Sequence, residues 1–305
     1  MPDPQKVTVR VSATTANLGP GFDSIGMAVD IWNELTVEYG PFSLTISGDG
    51  ADAPSMPYDS DNLVVTGVET AFRASGKNVP ELAYRCVNKI PYARGLGSSS
   101  AAIVAGLLAG AALAQIEFET DDLIKMAADL DGHPDNVVPA ILGGMCIGVH
   151  TDSRWVTNQV PAPEGLKVVM FVPEREGPTR EARALLPPDI PRSDAVFNIG
   201  RAALLVSAFA QNRLHLLKEA TEDMLHQPAR SAIYPAMRRL IQSALIGGAH
   251  GAYLSGAGPT VMALTTHREM TVIYEMVEAA RLHNLPGKII VSCPVNSGGE
   301  ILSIE

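Results

Sequence analysis

Three things are scarce in this sequence: cysteine, basic charge and long hydrophobic runs. Each shortage excludes a class of protein. Three cysteines in 305 residues, Cys86, Cys146 and Cys293, have no metal-ligand spacing and make no disulfide framework. They fit a reduced, cytoplasmic chain, with small apolar side chains in a core as their expected role. Lys and Arg number 23 against 33 Asp and Glu, a formal net charge of -10. No basic stripe is present, so nucleic acid is not expected as a partner. The longest apolar run, Ala101 to Ala114, is fourteen residues long and too short to span a bilayer. No membrane partner is expected, and the run reads as a buried helix. The start, MPDPQKVTVRVS, lacks the charged-then-apolar pattern of a secretory signal. The GxxxxGK[ST] phosphate loop and the GxGxxG dinucleotide fingerprint are missing too.

What is present is an ordinary globular composition, 46% hydrophobic and 18% charged, long enough for two domains. Val7, Val9 and Val11 alternate with Thr8 and Arg10, which predicts a strand. ELTVEY, FSLTIS and LAYRCVNKI predict three more, and GLKVVMFVP (165–173) a buried one. Helices are predicted over about 62–75, from Ser98 onward, over 121–131, within 195–225, and over 235–246 and 268–283. GAYLSGAGPTVMALT (251–265) reads as a hairpin, and a strand at 288–293 closes the chain. Strands and helices mix in both halves, so the fold class is α+β. PAPEG (161–165) is the candidate linker.

Residues 91–102, PYARGLGSSSAA, are the most informative segment. Glycines at 95 and 97 precede three serines that open a small-residue helix. A helix N-terminus offers unpaired N–H groups and partial positive charge, a natural seat for phosphate. A serine cap after a glycine turn, serving only to start the helix, would look much the same. Three other segments favour the phosphate reading. SATTANLGPGFDSIG (12–26) is a polar glycine-rich loop after the first strand, DGHPDN (131–136) clusters two carboxylates, an imidazole and an amide, and GAYLSGAGPT (251–260) has a glycine-rich turn. Taken singly, each could be only a turn or a cap.

Together these segments resemble the GHMP kinase superfamily. SATTANLGPGFDSIG, PYARGLGSSSAA and GAYLSGAGPT look like its three motifs. TANLGPGFDS with GHPDN and HQPAR (226–230) is similar to the homoserine kinases within it. The resemblance implies a two-domain fold: a domain like the second domain of ribosomal protein S5 over 1–160, which binds ATP, and a ferredoxin-like domain over 161–305. It implies transfer of the γ-phosphoryl group of ATP to the hydroxyl of L-homoserine, on the way to threonine, with Mg²⁺, in a cytoplasmic homodimer. Other readings are a mevalonate- or shikimate-type kinase of the same superfamily, and a nucleotide-binding regulator without turnover.

The resemblance also implies roles for residues. Pro91, Tyr92, Ala93, Arg94, Gly95, Leu96, Gly97, Ser98, Ser99, Ser100 and Ala101 would wrap the triphosphate, and Asn62 would lie near the base, although Asp61-Asn62 before an apolar run also reads as a helix cap. Ser98 and Asp131 are the metal candidates. The family usually has Glu-Gly-His where this chain has Asp131-Gly132-His133, so a water-mediated contact is the expectation for the shorter Asp131. Arg183 (in PTREARALLP, 178–187) and Arg230 would hold the acceptor's carboxylate, Asp23 its ammonium, and Asn17, His133 and Thr179 would complete that pocket. Phosphoryl transfer asks chiefly for positioning and charge neutralisation. Asn136 is therefore expected to orient the attacking hydroxyl, with Asp135 holding the loop or assisting.

Overall fold

The computed structural model describes residues 5–177 and 179–305, and the side chains of these except Thr179 and Arg180. The first sheet is built on β1 (Lys6–Ala16) and β2 (Ile25–Tyr39), paired antiparallel from Lys6↔Glu38 to Ala16↔Gly26 with a register shift between Ser12 and Ala13. Val7, Val9, Val11 and Ala13 are buried, as a period-2 pattern requires. Long β2 serves two neighbours. Its second half pairs with β4 (Leu82–Asn88), itself parallel to β3 (Ser43–Gly48), and its first residues pair with β5 (Met145–His150), which carries β6 (Trp155–Val160). Four helices accompany this sheet: α1 (Leu63–Ala74), α2 (Ser98–Leu113), α3 (Thr120–Asp131) and α4 (Pro134–Leu142). α2 packs between α1 and β1, and its apolar residues are buried nearly all round, which is why it shows no polar face.

The second sheet has the order β10-β7-β9-β8, every neighbour antiparallel: β7 (Lys167–Pro173), β8 (Gly251–Leu254), β9 (Val261–Thr265) and β10 (Gly287–Ser292). That is the strand order of a ferredoxin-like domain. β7 is covered on both faces. Val168, Met170 and Val172 join the main core with Leu205 and Phe209, while Val169 and Phe171 pack in a second core with α9 (Pro235–Ile246) and α10 (Glu269–Leu282). Between β7 and β8 run the short α5 (Thr179–Ala184), the long α6 (Arg192–Ala210), α7 (Leu217–Ala220) and α8 (Gln227–Arg230). α6 is long and apolar enough to cross a membrane by length and composition. Here it buries Leu205, Ala208 and Phe209 in the main core, and its Asn198 bonds Asp223 inside the fold.

Four elements depart from the sequence expectation. The strand at 287–292 does not close the chain: β11 (Glu300–Ile304) returns to the first sheet, antiparallel to β1. Strands β5 and β6 were not expected: MCIGVH is buried at Met145, Cys146 and Gly148 without period-2 alternation, and β6 is mostly exposed or half-buried. α4 was not expected either, since it contains Pro134 and Pro139. Pro134 takes the first helical position, where no N–H is needed, and Pro139 costs the helix one internal hydrogen bond.

Candidate active site

The phosphate-type loop ends on Gly97, which caps α2 in the left-handed region at φ 68° with no side-chain cap. A serine cap is therefore not what starts this helix. A Cβ at Gly97 would stand 1.9 Å from Thr14 Oγ1 and 3.2 Å from Asn136 Oδ1. Only glycine lets the loop lie this close to β1 and the start of α4. The first internal bond of α2 runs from Ala101 N to Gly97 O, 2.9 Å. The N–H groups of Ser98, Ser99 and Ser100 thus form the open first turn.

The loop borders a cavity of about 510 Å³. Tyr92, Ala93, Arg94, Gly95, Leu96, Gly97, Ser98 and Ser99 line it on one side, with Asn62 further along. Asn17, Asp23, Asp131, His133, Asp135, Asn136, Arg183 and Arg230 line the same cavity. Residues as far apart in the chain as Asn17 and Arg230 are thus gathered around one space. Three positions of the segment stand off it. Pro91 is buried behind the loop. Ala101 is fully buried, with its N–H spent on the helix. Ser100 turns its hydroxyl to Asp131 Oδ1, 3.1 Å. The side chain of Thr179 lies outside the described residues.

Arg94 does different work from a free positive charge. Its guanidinium donates to backbone carbonyls of Pro173 (2.9 Å), Tyr92 (2.9 Å) and Glu174, tying the loop to the end of β7. Asn62 is the cap of α1, accepting from Val64 N at 3.1 Å and donating to Pro57 O at 2.7 Å. Both polar ends of its amide are engaged.

In the same cavity, Asp23 and Arg183 form a two-pronged pair at 2.7 and 2.9 Å. Arg183 is held well above its ordinary value by these bonds. Asn17 donates to Gly256 O (3.1 Å) and accepts from Asp23 N (3.1 Å), and Arg230 Nη1 donates to the same Gly256 O (2.9 Å). Arg230 is buried, and burial followed by the nearby Arg183 charge lowers it to about 10, so it remains a cation at neutral pH. Phe22 packs against both arginines, its ring 5.4 Å from the Arg183 guanidinium and 5.7 Å from that of Arg230.

At the junction of the two halves, Asn136 Oδ1 accepts from Thr14 Oγ1 (2.8 Å) and its Nδ2 lies 3.4 Å from Asp135 Oδ1. Burial pushes the Asp135 carboxyl up to about 7, helped by the Asp23 and Asp131 charges and opposed by Arg183. Burial also raises Asp131, against the Ser100 bond, the His133 charge and the Ser99 bond.

Several contacts in the site were not anticipated. Thr14, Phe22 and Gly256 all touch its groups, and Ser255 Oγ lies 2.8 Å from Thr15 Oγ1 and 2.5 Å from Gly95 O. The signal available was on β1: the apolar alternation gives way to Thr14, Thr15 and Asn17, polar yet buried. Buried polar side chains at a strand end need partners, and those partners are the site.

Comparison with known proteins identifies the family. The family described as GHMP kinases N terminal domain matches residues 62–144, and GHMP kinases C terminal matches 205–284. A homoserine kinase of Carboxydothermus hydrogenoformans is 39% identical over 295 residues, covering 96% of this chain and 95% of its own. A homoserine kinase structure from Cytophaga hutchinsonii superposes with a TM-score of 0.88 at 29% identity, covering 99% of this chain and 98% of that one. A mevalonate diphosphate decarboxylase from Staphylococcus aureus shares the fold, with a TM-score of 0.72 at 16% identity and 98% of each chain covered. The chain belongs to the GHMP kinases and, among them, to the homoserine kinase family.

Proposed function

We propose that this chain transfers the γ-phosphoryl group of ATP to the hydroxyl of L-homoserine, giving O-phospho-L-homoserine. The observation that carries the reading is the close approach of Asn136 to Gly97 of the loop, in a cavity also lined by Asp23, Arg183 and Arg230. The open first turn of α2 and the loop amides receive the triphosphate. Asn136, fixed by Thr14 and Asp135, orients the acceptor hydroxyl toward it. No strong base is needed for a transfer that depends on alignment and charge neutralisation. In this reading residues 1–160 supply the ATP side, and the acceptor clamp is shared between Asn17, Asp23 and His133 from 1–160 and Thr179, Arg183 and Arg230 from 161–305.

Asp23 and Arg183, assigned to opposite ends of the zwitterion, are paired with each other. A zwitterion entering between them offers each group an opposite charge, so both stay paired through the exchange. Both side chains are about one-third exposed, at 30% and 39%, so opening the pair costs on the order of 1 kcal/mol or less.

For Mg²⁺ the donor set fits. Asp131 is a largely desolvated carboxyl beside the loop, with no Lys or Arg salt bridge recorded among the described residues and with Ser98 on the same cavity wall. Magnesium commonly takes one or two carboxylates beside phosphates and water. Asp131, through water, and Ser98 would hold it, and when bound it neutralises phosphate charge. A homodimer belongs to the same proposal, favoured by the exposed apolar Val196 and Ile199 on α6. Light scattering tests it.

The activity is tested by ADP release with homoserine, mevalonate, shikimate or no acceptor. Turnover with homoserine is expected. Turnover only with mevalonate or shikimate would show another acceptor, and none with any of them would favour a regulator.

A further inference from the structure

Arg230 sits in a buried polar network whose other members take no part in the phosphoryl transfer itself. Its Nη1 donates both hydrogens, one to Gly256 O at 2.9 Å and one to His226 Nδ1 at 2.7 Å. Among the described residues Nη2 has no hydrogen-bond partner, and the side chain lines the cavity. His226 is fully buried. Its Nε2 lies 2.9 Å from Gly19 O. A carbonyl only accepts and a guanidinium only donates. Nε2 must therefore carry the proton, and Nδ1 must offer its lone pair.

The surroundings hold that form. Asp223, also buried, lies 3.6 Å from Nε2 with Oδ2 and accepts from the N–H groups of Leu225, His226 and Gln227 at 2.7–3.0 Å. Asn198 donates to it at 2.8 Å. Phe22 stacks on the imidazole at 5.4 Å and 29°. Gly19, at φ 90°, could carry no side chain, since a Cβ would stand 2.1 Å from Thr221 O. Its carbonyl is thus pressed against the segment bearing Asp223 and His226. Burial pushes the imidazole down to about 4, with Asp223 opposing and Arg230 assisting, so it is neutral wherever the protein works.

We propose that His226 is a positioning residue for acceptor binding: held as the Nε2–H tautomer by Gly19, it fixes the Arg230 guanidinium so that Nη2 faces the cavity and meets the acceptor's carboxylate. This rests on the reading of Arg230 as the carboxylate-binding arginine. It joins the loop after β1 to the turn between β8 and β9 through one imidazole. A protonated His226 would set N–H against N–H and release the guanidinium.

Two isosteric variants separate this role from packing. Asn places an oxygen near the Nδ1 position and can still accept from Arg230, while Gln reaches the Nε2 position and keeps only the bond to Gly19. Loss of a hydrogen bond to a charged group corresponds to roughly ten- to a hundredfold in binding. His226→Gln is therefore expected to raise the KM for homoserine by ~10-fold or more, and His226→Asn by only about 3-fold, with kcat and the KM for ATP within about 2-fold of wild type. Equal effects of the two variants, or a matching rise in the KM for ATP, would overturn the assignment. Nitrogen-15 NMR of wild-type His226 decides it without activity or a variant that folds. A neutral Nε2–H ring throughout pH 6–8 is expected, and an Nδ1–H ring or a titration near 6.5 would refute it. Wild-type protein inactive toward homoserine would instead defeat the reading of the reaction, leaving the tautomer result to stand by itself.

Discussion

The two halves of the cavity are built on different principles. In the proposed reading the ATP half is a continuous stretch, residues 92–99, in which backbone groups and the open turn of α2 would do the work. In that reading the acceptor half is made of side chains from four separate segments: Asp23 is paired with Arg183, while the Arg230 cation is hydrogen-bonded by neutral His226 and the Gly256 carbonyl and has no carboxylate partner among the described residues. A backbone cradle recognises a group common to every nucleoside triphosphate and is set by chain geometry. A side-chain clamp recognises one acceptor and can be altered a residue at a time. Substitutions should therefore damage the first half as a unit and the second half by function.

The largest effect is expected at Gly97. Alanine there meets Thr14 Oγ1 at 1.9 Å and forces a left-handed conformation on an L side chain. Strain of roughly 1–3 kcal/mol, before the clash is counted, displaces the loop. Gly97→Ala should lower kcat/KM for ATP by on the order of a hundredfold or more in steady-state kinetics. Unchanged ATP kinetics would show that the loop is not the nucleotide seat.

Next comes Arg230→Met, which keeps bulk and removes the buried charge. We expect the KM for homoserine to rise by about a hundredfold with the KM for ATP nearly constant, the loss of a charge-assisted bond. Parallel changes in both constants would erase the division between the halves.

How much of this was legible in the sequence differs between the halves for the same reason. The loop at 91–102 shows itself because its glycines, serines and helix start are adjacent in the chain. The alternation of Val7, Val9 and Val11 gave β1, and the both-faces-buried run at 167–173 gave β7. The acceptor half has no local signature. Arg183 on a short helix and Asp23 in a turn look like surface charges until the fold joins them 160 positions apart. Family resemblance, not pattern, pointed to them. His226 and Phe22 stood inside quoted motifs, but their contacts depend on where Gly19 and Arg230 meet. β11 was invisible for a similar reason, because its partner β1 lies at the other end of the chain.

A moderate effect with a pH signature is expected for Asp135. Its carboxyl is raised to about 7 in the folded protein, against about 4 when unfolded. The folded state binds the extra proton between these values, so its contribution to stability is complete below about pH 4 and is lost as pH rises through about 7. Asp135→Asn removes that dependence. The stability of the variant relative to wild type should increase between pH 4 and 8, by on the order of 2–4 kcal/mol in denaturant unfolding. A constant difference would contradict the raised value. Turnover of Asp135→Asn should stay within about threefold of wild type, whereas loss of a general base would cost roughly a hundredfold or more.

The smallest effect is expected at Asn62. Ser can replace its cap on α1, so Asn62→Ser should cost a few tenths of a kcal/mol in thermal unfolding and leave the KM for ATP within about twofold. A tenfold rise in that KM would place the side chain on the base rather than on the helix.

The central claim, that the acceptor half reads a zwitterion, is tested most directly by one ratio. It compares kcat/KM for L-homoserine with kcat/KM for 4-hydroxybutyrate, which lacks only the ammonium, in wild type and in Asp23→Asn. A site built to pair a buried polar group rejects an analogue lacking its partner by roughly 10⁴ or more, and a partly exposed pair by less. We expect a wild-type ratio on the order of 10³ that falls at least tenfold in Asp23→Asn. A ratio near one in wild type, or one that Asp23→Asn leaves unchanged, would contradict the account.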